Sequence, residues 1–292
     1  MTFRSDGPLD TGGVSGRGGG RRGGRVAIGG GVGLVVVVIA ALVFGIDPSD
    51  LLGGAGDYAT EDVGSRGSDS SEIDQQIESC TIEKANTDTV CRIVATTNSL
   101  NKVWPGLVSG YQAPQAVIFA GSVDTGGCGS ATSAVGPFYC PADQTAYFDP
   151  SFFETLQQQL GGSNGPLAQE YVVAHEFGHH VQHLLGADEQ ARRLGSKGAK
   201  SGSVRLELQA DCYAGVWANR ADDGPDAMLE PITRDQIDDV ITTAKAIGDD
   251  RLSGSNSDGW THGSSTQRVR WFSTGYQSGD PKTCDTFATN DL

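Results

Sequence analysis

Basic residues are scarce in this 292-residue chain, and they are unevenly distributed. The chain contains 21 lysines and arginines against 36 aspartates and glutamates, which gives a formal net charge of −15 at pH 7. Five of the arginines but only two of the acidic residues fall within residues 1–46, so residues 47–292 carry 16 basic and 34 acidic side chains, a formal charge of −18. A charge of this sign repels nucleic acid and anionic lipid headgroups, which argues against a nucleic-acid-binding function.

One apolar run near the N-terminus is long enough to cross a bilayer as a helix: residues 26–46 contain no charged side chain over 21 positions. We therefore expect a disordered, Gly- and Arg-rich tail over residues 1–25, a transmembrane helix over 26–46 and a flexible linker over 47–71. Arginines before the run and aspartates after it predict a cell-membrane protein with a cytoplasmic tail and an extracytoplasmic domain over 72–292. A cleaved signal peptide is the alternative, although its apolar core is usually shorter and ends at an A-x-A-like site.

The six cysteines are even in number, which is typical of disulfides in an extracytoplasmic domain. Six cysteines allow fifteen connectivities, so a pairing is a hypothesis rather than a derivation. The favoured pairs are Cys80–Cys91, Cys128–Cys140 and Cys212–Cys284. The first two close short loops, and the third would join a helix in the middle of the domain to the C-terminus. A cysteine-zinc site is the alternative, but the separations fit no usual pattern for one.

Periodicity and cap residues predict a mixture of helices and short strands in the domain. Helices are expected over 72–104, from Asp149-Pro150 to Gly161, through the run around residues 172–185 up to Gly186, over 203–219, and from the capping box of Thr233 and Gln236 to Ile247. Strands are expected over 116–121 and 145–149. This pattern indicates an α+β domain that is mainly helical with a small β-sheet.

The most informative stretch is Ala174 to Gln182, AHEFGHHVQ. His175 and His179 are four residues apart, so on a helix both imidazoles project from one face and can hold one metal ion. Glu176 lies about 100° further round the same helix, where it can touch a water bound to the metal rather than the metal itself.

A second helical stretch, RLELQADCYAG, supplies carboxylates with the same spacing. Glu207 is a candidate third ligand, and Asp211, one turn later, is positioned to orient a histidine ring. Two histidines and one carboxylate leave a tetrahedral zinc with an open fourth position, as in catalytic rather than structural sites. The predicted chemistry is hydrolysis with one Zn²⁺ per chain and Glu176 as general base. Manganese or cobalt could occupy the same ligands in vitro.

Four segments in one order resemble a family of bacterial neutral zinc metallopeptidases, which are single-pass membrane proteins of the zincin type. The segments are GPFYCPADQTAYFDPSFF, HEFGHHVQ, SVRLELQADCYAGVWA and THGSSTQRVRWFSTGYQSGD, and the likeness covers about residues 79–287. The resemblance implies a zincin fold, an HExxH-type metalloendopeptidase activity on peptide or protein substrates, Glu207 as third ligand and Asp211 as support for a ligand histidine. It also suggests that the strand around Tyr147 pairs with the substrate backbone, as an upstream strand does in zincins; an ordinary internal strand is the alternative. It supplies no particular substrate.

His262 is the candidate for a second catalytic role. It lies outside the histidine-rich helix, in a Gly- and Ser-rich loop, and by analogy with neutral zinc peptidases it would stabilise the developing oxyanion. The alternative is a hydrogen bond that stabilises the loop. His180 points away from the ligands, His183 is expected near the site as a neighbour, and Arg268 is expected to be structural.

A different class of function remains open: a membrane-tethered binding or scaffold domain in which zinc only stabilises the fold. An intact Glu176 argues against it, because a purely structural site has no use for a base. The sequence leaves the oligomeric state, the cleavage specificity and any mechanism of latency undecided.

Overall fold

The computed structural model describes residues 2–4, 9–18, 70–224 and 227–292. The predicted transmembrane segment, residues 26–46, lies outside the described residues, and so does the predicted linker except for its last two positions, because a helix already begins at Ser70. Within the part of the chain that the structure describes, no helix is both long and apolar enough to span a membrane.

Helices form most of the described structure, and the strands form one small mixed sheet and a separate hairpin. The helices are α1 (Ser70–Glu78), α2 (Ile82–Ala85), α3 (Thr89–Val103), α4 (Phe152–Gln158), α5 (Pro166–Leu185), α6 (Ala187–Arg193), α7 (Gly202–Ala221), α8 (Arg234–Ala246), α9 (Asp249–Leu252) and α10 (Ser265–Ser278). The strands are β1 (Val14–Gly18), β2 (Gln115–Ala120), β3 (Ser122–Asp124), β4 (Ser130–Thr132), β5 (Phe138–Cys140) and β6 (Thr145–Phe148). The expected α+β architecture, mainly helical with a small sheet, is confirmed.

Most predicted helices are present, with two differences. One predicted helical region is divided, and one helix begins later than expected. The helical region expected over 72–104 is divided into three helices, because Asp88 caps α3 by accepting a hydrogen bond from the Cys91 backbone N–H at 2.9 Å. The helix expected to start at Asp149-Pro150 begins at Phe152 instead, since the Asp149 carboxylate binds the backbone N–H and the hydroxyl of Ser151. The capping box of Thr233 and Gln236 is confirmed.

The four-stranded sheet has the order β1-β2-β6-β5, with β1, β2 and β6 parallel and β5 antiparallel to β6. Both faces of β2 are buried, because its side chains alternate between two apolar clusters. Val117 and Phe119 pack with Phe138 and Tyr147 on one face, whereas Ile118 belongs to the main helical core on the other. This two-sided burial explains the continuous apolar run of the strand.

The suggestion that the strand around Tyr147 pairs with substrate is wrong. That residue lies in β6, which is hydrogen-bonded to β2 on one side and β5 on the other and therefore has no free edge. Tyr147 itself is fully buried, and its hydroxyl donates to Asp143 at 2.7 Å. In the part of the chain that the structure describes, β5 lies at this end of the sheet and pairs with β6 alone.

The prediction of a disordered tail over 1–25 is wrong for those of its residues that the structure describes. Residues 14–18 form β1, which extends the sheet in parallel register from Val14 opposite Ala116 to Gly18 opposite Ala120. Phe3 is 2% exposed and forms an isolated bridge with Leu229. Five Gly-rich strand residues have too little apolar periodicity to be recognised, and their order comes from pairing with a distant strand.

The three expected disulfides, Cys80–Cys91, Cys128–Cys140 and Cys212–Cys284, are confirmed. The third one is closest to the candidate site, because Cys212 lies on α7 directly after Asp211. It fixes that helix to the C-terminal segment, as the sequence had suggested.

Helix α7 lies at the centre of the helical layer and packs closely against both α5 and α10. A Cβ atom on Gly178 of α5 would lie 3.0 Å from the Cα atom of Ala210, and one on Gly275 of α10 would lie 1.9 Å from the carbonyl oxygen of Cys212. Only glycine permits the second contact, because no side chain fits between the two backbones. These close approaches bring the two motif-bearing helices, α5 and α7, into contact at the level of the candidate site.

Candidate metal centre

The predicted ligands converge on one buried point between α5 and α7. His175 and His179 lie on consecutive turns of α5, and Glu207 extends from the first half of α7. One ligand atom from each of the three lies within 4.8 Å of the others. The Glu207 carboxylate lies 3.2 Å from His175 Nε2 and 3.5 Å from His179 Nε2. Two nitrogens and one carboxylate oxygen thus face a common centre.

Each ligand histidine is oriented through its other ring nitrogen. His175 Nδ1 lies 2.9 Å from Asp211 Oδ1, as predicted, and an ionised carboxylate can only accept, so Nδ1 carries the proton. His179 Nδ1 lies 2.8 Å from Gln182 Oε1. The amide of Gln182 is held in this orientation because its nitrogen donates to the Leu206 carbonyl at 2.6 Å. In both rings the Nε2 lone pair is therefore directed to the centre, which is the tautomer a metal ligand needs.

Asp211 is itself held by two residues that sequence reasoning did not select for the site. Arg268, 1% exposed on α10, donates from Nε to Oδ2 and from Nη2 to Oδ1, both at 2.9 Å, and the Tyr171 hydroxyl donates to Oδ1 at 2.5 Å. Burial alone would raise the pKa of Asp211, but the charge of Arg268 and the hydrogen bond from His175 outweigh it, so the pKa lies below its ordinary value. Arg268 thus stabilises the Asp211 carboxylate at the site, in addition to packing in the fold.

The electrostatics of the ligand group favour a positive charge among them. Burial lowers the pKa of His175, but its bonds to Asp211 and Glu207 more than compensate and raise it to about 10. His179, whose Nδ1 partner is a neutral amide, keeps a pKa below its usual value because burial dominates. The pKa of Glu207 lies below its usual range: burial opposes this shift, and the neighbouring histidines cause it. A buried carboxylate that stays ionised between two imidazoles is a suitable cation site.

Glu176 occupies the position expected for a base. Its side chain is 2% exposed, and among the described residues neither its Oε2 atom nor the Nε2 atom of His179 has a hydrogen-bond partner. Buried polar atoms without partners are uncommon, and these two are the atoms that a water and a metal ion would contact. Burial raises the pKa of Glu176 to about 7, although the charge of His175 and the Tyr139 backbone N–H lower it. The residues present therefore fit Zn²⁺ with an adjacent base.

A cavity of about 570 Å³ opens beside His179 and gives the centre a route to solvent. One wall comes from β5 and the residues after it, and the opposite wall from α6 and the loop after it. The lining residues include Tyr139, Pro141, Ala142, His183, Asp188, Arg192 and Leu206. The wall at β5 is fixed to α5 through His180, whose Nε2 lies 2.6 Å from the Gln112 carbonyl and whose Nδ1 lies 2.9 Å from the Tyr139 hydroxyl.

His262 lies near the centre but not among the atoms that meet there. Its ring is 4% exposed, and Nδ1 lies 3.3 Å from Asp249 Oδ1. The Asp249 carboxylate also accepts the backbone N–H of His262 at 2.6 Å. His262 is close enough to Glu207 to contribute to lowering its pKa. His183 is further out, at the cavity, and pairs with Asp188 at 2.9 Å.

Tyr171, Gln182, Asp249 and Arg268 are the supporting residues that sequence reasoning did not identify. Two of them had a usable signal: Tyr171 precedes His175 by four residues and Gln182 follows His179 by three, so both lie on the ligand face of α5. Asp249 and Arg268 are distant in sequence from the residues they support, and no local pattern marks them.

The fold and the site together define an α+β protein in which two packed helices bring three possible metal ligands together. The chain belongs to the family described as "Putative neutral zinc metallopeptidase", whose profile matches residues 4–287 and thus includes β1. A similar protein from Mycobacterium tuberculosis (strain H37Rv), the uncharacterized protein Rv2575, is 52% identical over 218 residues, which cover 71% of this chain and 74% of the relative. The uncharacterized protein YpfJ of Escherichia coli (strain K12) is 38% identical over 267 residues, 88% of this chain and 86% of the relative. No significant match was found among solved structures.

Proposed function

We propose that this protein is a membrane-anchored, zinc-dependent metalloendopeptidase with a zincin-type domain. The observation that carries the proposal is Glu176, a buried carboxylate with an unpartnered oxygen beside the His175, His179 and Glu207 ligand set. A site that only stabilises the fold needs four ligands and no base, whereas a hydrolytic site needs three ligands, a base and an opening for substrate. The cavity beside His179 supplies the opening.

Zinc held by these three residues would polarise the scissile carbonyl and lower the pKa of a water at the site. Glu176 then accepts a proton from the attacking water at Oε2 and transfers it to the leaving nitrogen. Asp211 holds the Nδ1 proton of His175, which leaves Nε2 as the nitrogen that would bind the metal. His262, fixed by Asp249, is our candidate for the donor that stabilises the developing oxyanion.

The substrate is proposed to bind as an extended peptide or protein segment along β5. This strand forms one end of the sheet, and its Tyr139 backbone N–H donates a hydrogen bond to Glu176 on α5. A free strand edge can pair with an extended backbone and leave side-chain recognition to the adjoining cavity. This role replaces the one first suggested for the strand around Tyr147.

The domain is proposed to lie outside the cytoplasm and to be attached to the membrane through residues 26–46. Three disulfides support this location, because such bonds persist in oxidising compartments. The uncharged run over 26–46 supports the attachment. The net charge of −18 over residues 47–292 is consistent with a protein substrate and with no nucleic-acid partner.

The deciding experiment compares full-length wild-type protein with Glu176→Gln, with an unstructured protein such as casein as substrate. The amide cannot accept the water's proton, so we expect about one zinc per chain in both proteins and a roughly 10²- to 10⁴-fold loss of hydrolysis in the variant. Glu154→Gln on the surface of α4 is the matched control and should cleave like wild type. A Glu176→Gln protein with full activity would contradict the mechanism.

A scaffold function with a structural zinc is the second candidate, because the three ligands are only 2–6% exposed, as structural sites often are. It predicts that wild type, Glu176→Gln and Glu154→Gln all bind zinc and that none of them cleaves any unstructured protein. That result would favour the scaffold over the peptidase.

A further inference from the structure

Residues 2–4 are bound to the domain by a set of specific hydrogen bonds. The Thr2 hydroxyl donates to Glu170 Oε1 at 2.6 Å, and the backbone N–H groups of Thr2 and Phe3 both donate to Asn86 Oδ1, at 2.8 and 3.0 Å. Arg4 donates from Nε to the Leu229 carbonyl at 2.7 Å. The carbonyl of Thr2 accepts the Glu230 backbone N–H at 2.7 Å.

Residues 9–18 form a second set of contacts on the same chain. Besides the β1–β2 ladder, the backbone N–H of Asp10 donates to Asn98 Oδ1 at 2.6 Å, and the Asn98 amide donates back to the Asp10 carbonyl at 2.7 Å. The backbone N–H of Gly16 donates to Asp74 Oδ1 at 2.6 Å. A Cβ atom on Gly16 would lie 2.9 Å from Ile73, so the close contact with α1 requires glycine at this position.

These contacts resemble a domain interior rather than a loosely attached tail. Phe3 is 2% exposed, Thr2 is 1% exposed and Val14 is 7% exposed, and the two apolar side chains belong to the main core. Glu170, which accepts the Thr2 hydroxyl, lies on α5 between the start of that helix and the ligand histidines. Through Glu170 the segment is therefore bonded directly to the helix that carries His175 and His179.

We propose that residues 2–4 and 9–18 are an integral part of the folded domain and lie on the same side of the membrane as the candidate metal centre. Hydrogen bonds of 2.6–3.0 Å join the segment to the domain, whereas the hydrocarbon core of a bilayer is about 30 Å thick. A chain that places the tail in the cytoplasm and the domain outside, as the charge pattern predicted, cannot form these contacts. The membrane attachment proposed above for residues 26–46 must therefore leave the segments before and after it on one side of the membrane, and the single crossing expected from the charge pattern is replaced. The inference is independent of peptidase activity, because it concerns residues remote from the ligands.

The test is the accessibility of single new cysteines in the full-length protein in intact cells. All six native cysteines are paired, so a membrane-impermeant maleimide reacts only with an introduced thiol. Ser15→Cys reports on the exposed face of β1, and Ser255→Cys reports on an exposed loop of the domain. We expect the two introduced cysteines to behave alike. Either both are labelled in intact cells, or both are labelled only after the cells are permeabilised. If Ser255→Cys is labelled in intact cells and Ser15→Cys only after permeabilisation, the proposal is overturned.

A stability measurement on the full chain tests the docking itself. Phe3→Ala should lower the melting temperature by on the order of 10 °C, because it leaves a cavity in the core. Leu185→Ala is the control, since Leu185 is 53% exposed, and it should shift the melting temperature by less than about 2 °C. Should Phe3→Ala yield no folded protein, Phe3→Leu serves instead, with an expected shift of a few degrees. A melting temperature unchanged by either Phe3 substitution would show that the segment is not docked.

Discussion

Asp211 accepts hydrogen bonds from three side chains, those of Tyr171, His175 and Arg268. A histidine ligand that is oriented by a carboxylate is a common arrangement, because the carboxylate fixes both the tautomer and the ring plane. The unusual element is the fully buried guanidinium behind the carboxylate. It supplies the counter-charge that lets Asp211 stay ionised without solvent, and hence lets it hold the Nδ1 proton of His175.

Arg268→Met should therefore weaken zinc binding roughly 10- to 100-fold through the loss of support for His175. Arg270→Met is the matched control on the same helix, because that guanidinium is about half exposed and pairs with Asp291 at the surface. Zinc affinity measured by competition with a chelator distinguishes the two variants. Equal zinc affinities in Arg268→Met and wild type would mean that the arginine only serves packing.

The buried carboxyl of Glu170 should make the free energy of unfolding depend on pH. Burial raises its pKa to about 7, and the Thr2 hydroxyl and Arg92 only partly offset this, since the nearest Arg92 nitrogen is 4.0 Å away. A carboxyl whose pKa is raised on folding stabilises the protein below its unfolded pKa and loses that contribution as the pH rises through 7. The free energy of unfolding of wild type should thus fall by roughly 3 kcal/mol relative to Glu170→Gln between pH 4.5 and 8.

Urea unfolding of the two proteins at several pH values measures this difference. Comparison with Glu170→Gln removes the titration of the metal ligands, which both proteins share. Glu154→Gln, exposed on α4, should keep the wild-type pH dependence. Parallel curves for wild type and Glu170→Gln would show that the Glu170 carboxyl does not titrate in this range.

At the scale of secondary-structure elements, the site depends on how closely three helices approach. Helix α7 carries Glu207 and Asp211 and is packed against α5 on one side and α10 on the other. The disulfide between Cys212 and Cys284 closes a loop of 72 residues from the same helix. Such a cross-link is worth about 4 kcal/mol in the chain-entropy account, and it fixes the helix that presents the third ligand.

Gly275→Ala tests the α7–α10 contact. Its Cβ atom would lie 1.9 Å from the carbonyl oxygen of Cys212, so the helices must separate, and we expect a loss of roughly 1–3 kcal/mol in stability together with weaker zinc binding. Gly106→Ala is the control, because nothing lies within 4 Å of its Cβ position. Thermal unfolding and zinc titration measure both effects. A stable Gly275→Ala protein with unchanged zinc affinity would show that the contact can relax.

At the scale of the whole molecule, the main core is formed by apolar side chains and disulfides rather than by the candidate metal ligands. One apolar cluster runs from Phe3 to Leu292 through α3, α5, α7 and α10, and three disulfides reinforce it. Metal ligands contribute three residues at its margin. A core of this extent is expected to fold without a metal, unlike the small domains that a metal folds.

Chelation of the full-length protein should therefore leave a folded, inactive chain. Far-UV circular dichroism should be unchanged, the melting temperature should fall only by the contribution of bound metal, and added zinc should restore hydrolysis. Loss of cooperative unfolding on chelation would instead indicate a structural zinc and support the scaffold function.

Much of the metal centre could be predicted from the sequence, because its key relations are local. Residues four apart on a helix share a face whatever the rest of the fold does, and this fixes the pairing of His175 with His179 and of Glu207 with Asp211. The α+β composition, the capping box at Thr233 and the two short disulfide loops are likewise set within about a dozen residues. For the ligand pairs and the capping box, spacing alone carries the information, whereas the disulfide pairs were a choice among fifteen possible connectivities.

The tertiary structure decided what depends on contacts between distant segments. It placed Arg268 behind Asp211, Asp249 beside His262, β5 rather than the strand of Tyr147 at the sheet edge, and residues 2–4 and 9–18 on the domain. Such features produce no periodic pattern in the sequence. They include a buried ion pair, the order of strands and the docking of a Gly-rich segment. Each is stabilised only when surfaces from remote parts of the chain come together and lose water. The sequence by itself therefore determined which residues could hold a metal, and packing determined what surrounds and supports them.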